Sequence, residues 1–571
     1  MKRRFGPTRL LVVLLALVAV LAAACSSSSN NTATSGNNSA TTTPQAVPMG
    51  GTLTIGAEQE PDCMDWTDEC AGSSWGFWDA NVPTMPRAFD AVKQADGSYQ
   101  YVPNVLLTGE PTLVTSPKMV VTYHINPKAV WNDGTPITSA DFQYTWDHID
   151  HGTNIYDPTG YNDISSVDDS DPATAVVTFS TPYAGWKGLF GGGYGILPSH
   201  LLKGKNQHAI MKDGYTFSGG PYEMPAGGWK KGVSIELVPN PKWYGADKSH
   251  LDKVIFTLVT DTSAEFAAFK AGTVKMIYPQ PQLDVVSQIG SGIPGANSLY
   301  NADTGSFEVI WMNDQAGALS DVKVRQAIGY AIDRDAIVKA LFGKLGVTTA
   351  LNVINAPILN NFSNPDAFAN YKLDLSKVDS LLTGDGYAKD SSGIYAKGGQ
   401  ELSFSIQSTA GNKRRELTEQ VLQQQLKQAG IKLTIQNHEA SDLFGTILPA
   451  GNFQLALYAQ DLTSLDPGRC NIFCSKNIPS AANQNSGENW TRTNISSLDP
   501  LLETVDSSLD DNTRATANKQ ADDITASDQI SLPLDPLPDI VLWSKSLVGP
   551  VGDNAILGPW WNMQDWGLTS S

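Results

Sequence analysis

Residues 417–435 read LTEQVLQQQLKQAGIKLTI, and this stretch passes from helix to strand through a single glycine. Leu417 to Ala429 has the spacing of an amphipathic helix. Gly430 is the residue type that closes a helix, and Ile431 to Ile435 continues at once as a strand. Upstream, Val322, Arg325, Ala327, Ile328, Ala331 and Ile332 give a helix with one mostly apolar face. Asp333 then caps a second helix over Ala336 to Phe342. Strands are expected at 51–57, 120–125, 176–179, 235–238 and 254–259, with a helix at 263–270. Thr138-Ser-Ala-Asp141 has the form of a capping box and starts a helix through Phe142, Tyr144 and Trp146. Helices and strands alternate throughout, so the class is α/β.

The chain has 571 residues, 41% of them hydrophobic, which supports two or three domains with a large core. A net charge of −19 argues against nucleic acid and anionic membrane surfaces as partners. Solubility of an exported protein accounts for the acidity, with weak attraction of cationic ligands as a second consequence.

The N-terminus indicates export. Lys2, Arg3, Arg4 and Arg9 precede an apolar run from Leu10 to Ala24, which ends at Cys25. This resembles a bacterial lipoprotein signal, cleaved before a cysteine that is then lipidated, although Leu21 stands one place further from the cysteine than in the commonest pattern. An ordinary signal peptide cut near Ala24 is the alternative. Residues 26–48 carry no charge and little to bury, so 25–48 is expected to be a lipidated tether after a signal at 1–24. No later stretch is long and apolar enough to span a bilayer. The remaining cysteines form two local pairs, Cys63/Cys70 and Cys470/Cys474, read as short-loop disulfides of an oxidising compartment. A metal site built from all four lacks the usual Cys-x-x-Cys spacing.

Four segments in fixed order carry a resemblance. They are VTYHIN at 121–126 with AVWNDGTPITSADF at 129–142, GPY at 220–222 with LVPNPKWY at 237–244, VKVRQAIGYAIDR at 322–334, and QQQLKQAGIKL at 423–433. Together they resemble the dipeptide- and oligopeptide-binding family of extracytoplasmic solute-binding proteins, the receptors of ABC importers. The chain departs from the family's usual acidic residue at Lys275.

The resemblance implies a two-lobed periplasmic-binding-protein clamshell of type II with an extra domain, and a ligand between lobes that close by a hinge. Lobe I is expected at 49–80, 215–305 and 530–571, the extra domain at 81–214 and lobe II at 306–529. It further implies a short peptide as ligand, the transmembrane subunits of an ABC permease as partners, a monomer, and a place on the outer face of the cell membrane through lipid on Cys25 alone. Neither a cofactor nor a metal is expected, and no catalysis. An oligosaccharide or other solute, or a regulatory scaffold that has lost its ligand, are the alternatives.

The candidate ligand site is the stretch 453–461, FQLALYAQD, where an apolar strand ends in an acidic residue. Asp461 matches the aspartate that takes the peptide's α-ammonium group in the family, with Tyr458 and Ala459 beside it. Such an ammonium needs a carboxylate partner once desolvated. Glu60 and Trp75 follow the first strand, with Glu58 and Trp78, and either line the mouth or pack internally. Gly72-Ser-Ser-Trp-Gly76 matches G-x-S-x-G, but polar residues precede it where a nucleophile elbow needs a buried strand. His148 and His151 with Asp147 and Asp150 read as a solvated helix face. Trp560, Trp561 and Trp566 read as packing.

Overall fold

Strand Ser306–Met312 is buried at every residue and lies inside a five-stranded sheet. The computed structural model describes residues 47–68, 74–246, 248–301 and 304–569. The expected signal, Cys25, Cys70 and nearly all of the tether lie outside the described residues. Among the described residues no helix is long and apolar enough to cross a membrane.

The five-stranded sheet runs Lys432–Ile435, Ser403–Gln407, Leu455–Asp461, Ser306–Met312, Ser531–Pro536. Its first three strands pair in parallel, as the direct helix-to-strand passage at Gly430 requires. Helix Lys413–Ala429 ends there, and Gly430 takes φ +87°, open to glycine without strain. A second sheet of eight strands is built around the parallel pair Thr52–Ala57 and Lys253–Leu258. It draws in Ala296–Asn301 and Asp539–Ser544 from distant parts of the chain. Each sheet has its own hydrophobic core.

Ser531–Pro536 pairs with Ser306–Met312, so the chain leaves the five-stranded sheet after Pro536 and not at 530. Antiparallel pairing to a fully buried neighbour holds this strand in the five-stranded sheet.

A four-stranded antiparallel sheet, Thr112–Val114, Val120–His124, Thr174–Phe179 and Ile164–Asp171, carries helix Ser139–His151. The motif at 129–142 is a brace. Asp141 Oδ2 accepts from Thr138 N at 2.9 Å, closing the capping box, and from Trp131 Nε1 at 3.3 Å. Arg325 is likewise structural: its guanidinium donates to Leu319 O at 2.7 Å and Asp528 O at 2.8 Å.

A glutamate in the middle of a fully buried strand needs compensating charge. Glu308 receives it from the first turn of Lys413–Ala429: Arg414 Nη2 at 2.8 Å and Arg415 Nε at 2.7 Å. Burial pushes the Glu308 carboxyl up, but the two guanidiniums outweigh it and hold the group below its ordinary range.

Candidate functional site

Leu455–Asp461 is buried over its first four residues and half-buried at Ala459, Gln460 and Asp461, where it leaves the sheet. Asp461 stands opposite Ser306 in register. The Ser306 hydroxyl donates to Asp461 Oδ1 and the Ser74 hydroxyl to Oδ2. Ser306 belongs to the same sheet as Asp461. Ser74 precedes Trp75, which packs edge-on against Tyr278 in the core of the eight-stranded sheet. No ion pair reaches Asp461 among the described residues. Loss of water raises its carboxyl above the usual range, offset in part by the two serines and by Arg415.

Two cavities meet at this carboxylate, and both are lined by Ser74, Trp78, Phe444, Ala459 and Asp461. The first, of about 180 Å³, extends toward the four-stranded domain and has Tyr156, Tyr194, Tyr458, Glu488 and Trp490 in its wall. The second, of about 270 Å³, runs between the two large sheets and is lined by Glu58, Glu60, Asp62, Trp75, Gln280 and Arg415. Cavities at the carboxyl end of a sheet strand, between separately cored lobes, suit a small ligand.

Asp461, Tyr458, Ala459, Glu60 and Trp75 all lie on these walls. Tyr458 stacks on Trp311, with centroids 5.1 Å apart and planes 19° apart, and so forms a fixed wall. Glu60 accepts from Trp229 Nε1 and Gly232 N, both at 2.8 Å. Trp75 is 5% exposed, which makes it core and wall together. Trp560 and Trp566 are buried, and Trp560 Nε1 donates to Asp79 at 2.8 Å.

Sequence reasoning missed Ser74 as an Asp461 partner, and it missed Glu488, Tyr156 and Tyr194. One available signal was the glycine run at 191–193 beside Tyr194. Gly192 takes φ +48°, and a Cβ there would stand 2.8 Å from Gly188 O and 3.0 Å from Thr463 O. Only glycine lets the two chain segments of this wall approach so closely.

Four acids of the interior, unlike Glu308, shift upward together. Burial pushes Glu58 up to about 7, and Glu488 to about 7 with Asp157 adding to it. Burial, then Asp442 and Glu60, push Asp62 to about 7. Asp535 is pushed by burial to about 8. Each binds its proton more tightly folded than unfolded, so the folded protein holds more protons between about pH 4 and 8. The stability this gives is complete below the unfolded pKa values and is lost as pH rises through 7–8. The melting temperature of the ligand-free protein is therefore expected to fall by several degrees from pH 5.5 to pH 8.5. A constant or rising value over that range would refute the assignment.

His148 Nε2 lies 3.1 Å from Thr67 Oγ1, whereas exposed His151 faces Asp147 and Asp150, so the two serve separate partners. His148 is thus turned inward and is not part of a solvated face. Asp65, Asp68 and His208 are the one group among the described residues whose ligand atoms cluster. His208 Nδ1 is 2.7 Å from Asp68, and Asp65 Oδ1 accepts from Thr67 and Gln207, which makes this an ion-pair network. Cys470 and Cys474 form a disulfide across the short helix Cys470–Phe473. Cys63 is also disulfide-bonded, while its expected partner Cys70 lies outside the described residues.

Residues 106–473 match the family described as bacterial extracellular solute-binding proteins, family 5 middle. The oligopeptide-binding protein OppA of Mycobacterium tuberculosis is 30% identical over 490 residues, covering 81% of this chain and 76% of that protein. The oligopeptide-binding protein AppA of Bacillus subtilis is 26% identical over 296 residues, covering 50% of this chain and 52% of that protein. AppA solved in complex with a nonapeptide superposes with a TM-score of 0.80 at 19% identity, covering 92% of this chain and 100% of that one. The periplasmic EDTA-binding protein EppA superposes with a TM-score of 0.77 at 22% identity, covering 92% and 98%. These likenesses give a two-lobed clamshell fold, and a sequence match over this length gives more than fold: the chain belongs to the family 5 bacterial extracellular solute-binding proteins, which bind solutes and are not enzymes.

Proposed function

We propose that this protein captures short peptides between its two lobes and delivers them to the permease of an ABC importer. One observation carries the reading. Asp461, the acid at the carboxyl end of an apolar strand, stands where two cavities meet and, among the described residues, has no cation paired to it. A peptide's α-ammonium group supplies that missing charge, and the chain on either side of it occupies the cavities. The name of the mycobacterial relative supports the same ligand class. Closure then follows from contacts that the ligand makes better in the closed state than in the open one.

A thermal-shift screen tests this directly. Pools of short peptides are expected to raise the melting temperature, and oligosaccharide pools to leave it unchanged. The reverse pattern would favour the sugar reading, for which the aromatic wall around Trp490 and Tyr156 is the supporting observation.

We also propose that lipid on Cys25 holds the receptor on the outer face of the membrane, as a monomer on the uncharged tether, which raises its effective concentration at the permease. Cys25→Ala is expected to move the protein from the membrane fraction to the medium without a change in ligand affinity. Unaltered fractionation would rule out the anchor and leave the binding site untouched.

A further inference from the structure

The first cavity is an aromatic enclosure whose charges do not balance. Tyr156, Tyr458, Trp490 and Phe444 form a connected set of rings. Tyr156 meets Trp490 at 5.9 Å and 68°, Tyr458 meets Trp490 at 6.2 Å and 56°, and Phe444 meets Tyr458 at 5.6 Å and 88°. These fixed faces and edges line a space that also holds carboxyl groups.

Glu488 is 5% exposed and, among the described residues, is gripped by neutral donors alone. Its Oε1 accepts from Tyr156 Oη at 2.7 Å and Gln460 Nε2 at 2.8 Å, and its Oε2 from Asn471 Nδ2 at 2.9 Å. Three donors fix its position yet bring no positive charge. Asp157 lines the same cavity and accepts from Thr159 N at 2.9 Å. Asp506, 7% exposed, also lines it, and among the described residues its carboxyl takes no hydrogen bond and no ion pair. Burial is the largest cause that pushes all three carboxyls upward, and at Asp506 the charges of Lys476 and Arg514, neither within ion-pair distance, offset only part of the rise.

The lining side chains offer nothing to offset them. Arg469 is committed elsewhere, to Asp522 at 2.7 Å, Asn518 Oδ1 at 2.9 Å and Ile354 O at 3.1 Å. Asp466 is a further acid in the wall, beside Asp461, and it is already paired with Arg514 at 2.7 Å. The second cavity has Arg415 and Lys231 in its wall, and these too are committed elsewhere, to Glu308 at 2.7 Å and to Asp213 at 2.6 Å.

We propose that the first cavity receives a cationic side chain, lysine or arginine, of the bound peptide. Its methylene stem lies against the rings of Tyr156, Tyr458 and Trp490, and its charged head meets Glu488, with Asp157 and Asp506 behind. Aromatic faces attract a cation, and a carboxylate pre-positioned by three donors meets it without reordering. This inference rests on the peptide reading and names the class of peptide.

Calorimetry with penta-alanine, and with its single-lysine and single-norleucine substitution series, tests it. Norleucine keeps the stem and removes the charge. At one position of the series, lysine is expected to bind at least about tenfold more tightly than norleucine. In Glu488→Gln that ratio is expected to fall below about threefold. Asp506→Asn, further from the three donors, is the second variant should the first fail to fold, and it too should reduce the ratio. Equal affinities for lysine and norleucine at every position in the wild type would overturn the proposal and leave the peptide reading standing. A preference that survives intact in the folded variants would overturn it as well. Failure of every peptide, penta-alanine included, to bind would overturn the peptide reading and this inference with it.

Discussion

Asp461→Ala is expected to weaken peptide binding by about 2–4 kcal/mol, a rise in Kd of roughly 30- to 1,000-fold. The loss has two sources. The α-ammonium group of the ligand is left in a site away from water without its counter-charge. The hydroxyls of Ser74 and Ser306 also lose their acceptor. Asp461→Asn separates the two, because it keeps an acceptor and removes the charge. Acetylating the peptide N-terminus should cost the wild type a similar amount and cost Asp461→Ala little more, since both changes remove the same interaction. Calorimetry reads all four combinations. Unchanged affinity in Asp461→Ala, or fully additive losses, would show that the carboxylate does not hold the N-terminus.

The second large effect is on stability. Glu308→Gln removes the charge that two buried guanidiniums share, and breaking a buried ion pair costs about 3–5 kcal/mol. Part of this is recoverable. Asp535 lies opposite Glu308 in strand register, and burial pushes its carboxyl upward, toward the protonated form. With Glu308 neutral, Arg414 and Arg415 draw the Asp535 proton off and regain a partner. Adding Asp535→Asn to Glu308→Gln is therefore expected to cost more than the two single changes together. Chemical denaturation of the three variants measures this. A Glu308→Gln loss under about 1 kcal/mol, with additive behaviour, would mean that the cluster is not a coupled unit.

Much of the scaffold was legible because it depends on short-range chemistry. The capping box at Thr138 and Asp141, the stop at Gly430 and the apolar strand ending in Asp461 each lie within a few residues and obey local rules. Asp461 itself could be read because an acid at the end of an apolar strand is a local anomaly. Glu488 could not. It sits in NSGENWTRT at 485–493, a polar segment without periodicity, and its three donors come from Tyr156, Gln460 and Asn471. Only tertiary contact makes it part of a site. Ser74 was hidden for another reason: its surroundings resemble a nucleophile motif, and rejecting catalysis there left the serine without a role. His148 was misplaced because helical spacing puts two histidines on neighbouring faces but does not say which of them turns inward.

The Ser74–Asp461 bond has a consequence for selectivity. It runs from the side of the eight-stranded sheet to the end of a strand in the other, so it already fastens one half of the receptor to the other. On the proposed role of Asp461, an arriving ammonium group is thus never compared with empty space. It must outperform a serine hydroxyl, which donates one hydrogen bond and carries no charge. A neutral donor offers little beyond what the protein provides for itself, whereas a cation offers a full counter-charge. Under that role the serine would set a threshold against uncharged amines and alcohols before any of the pockets is filled.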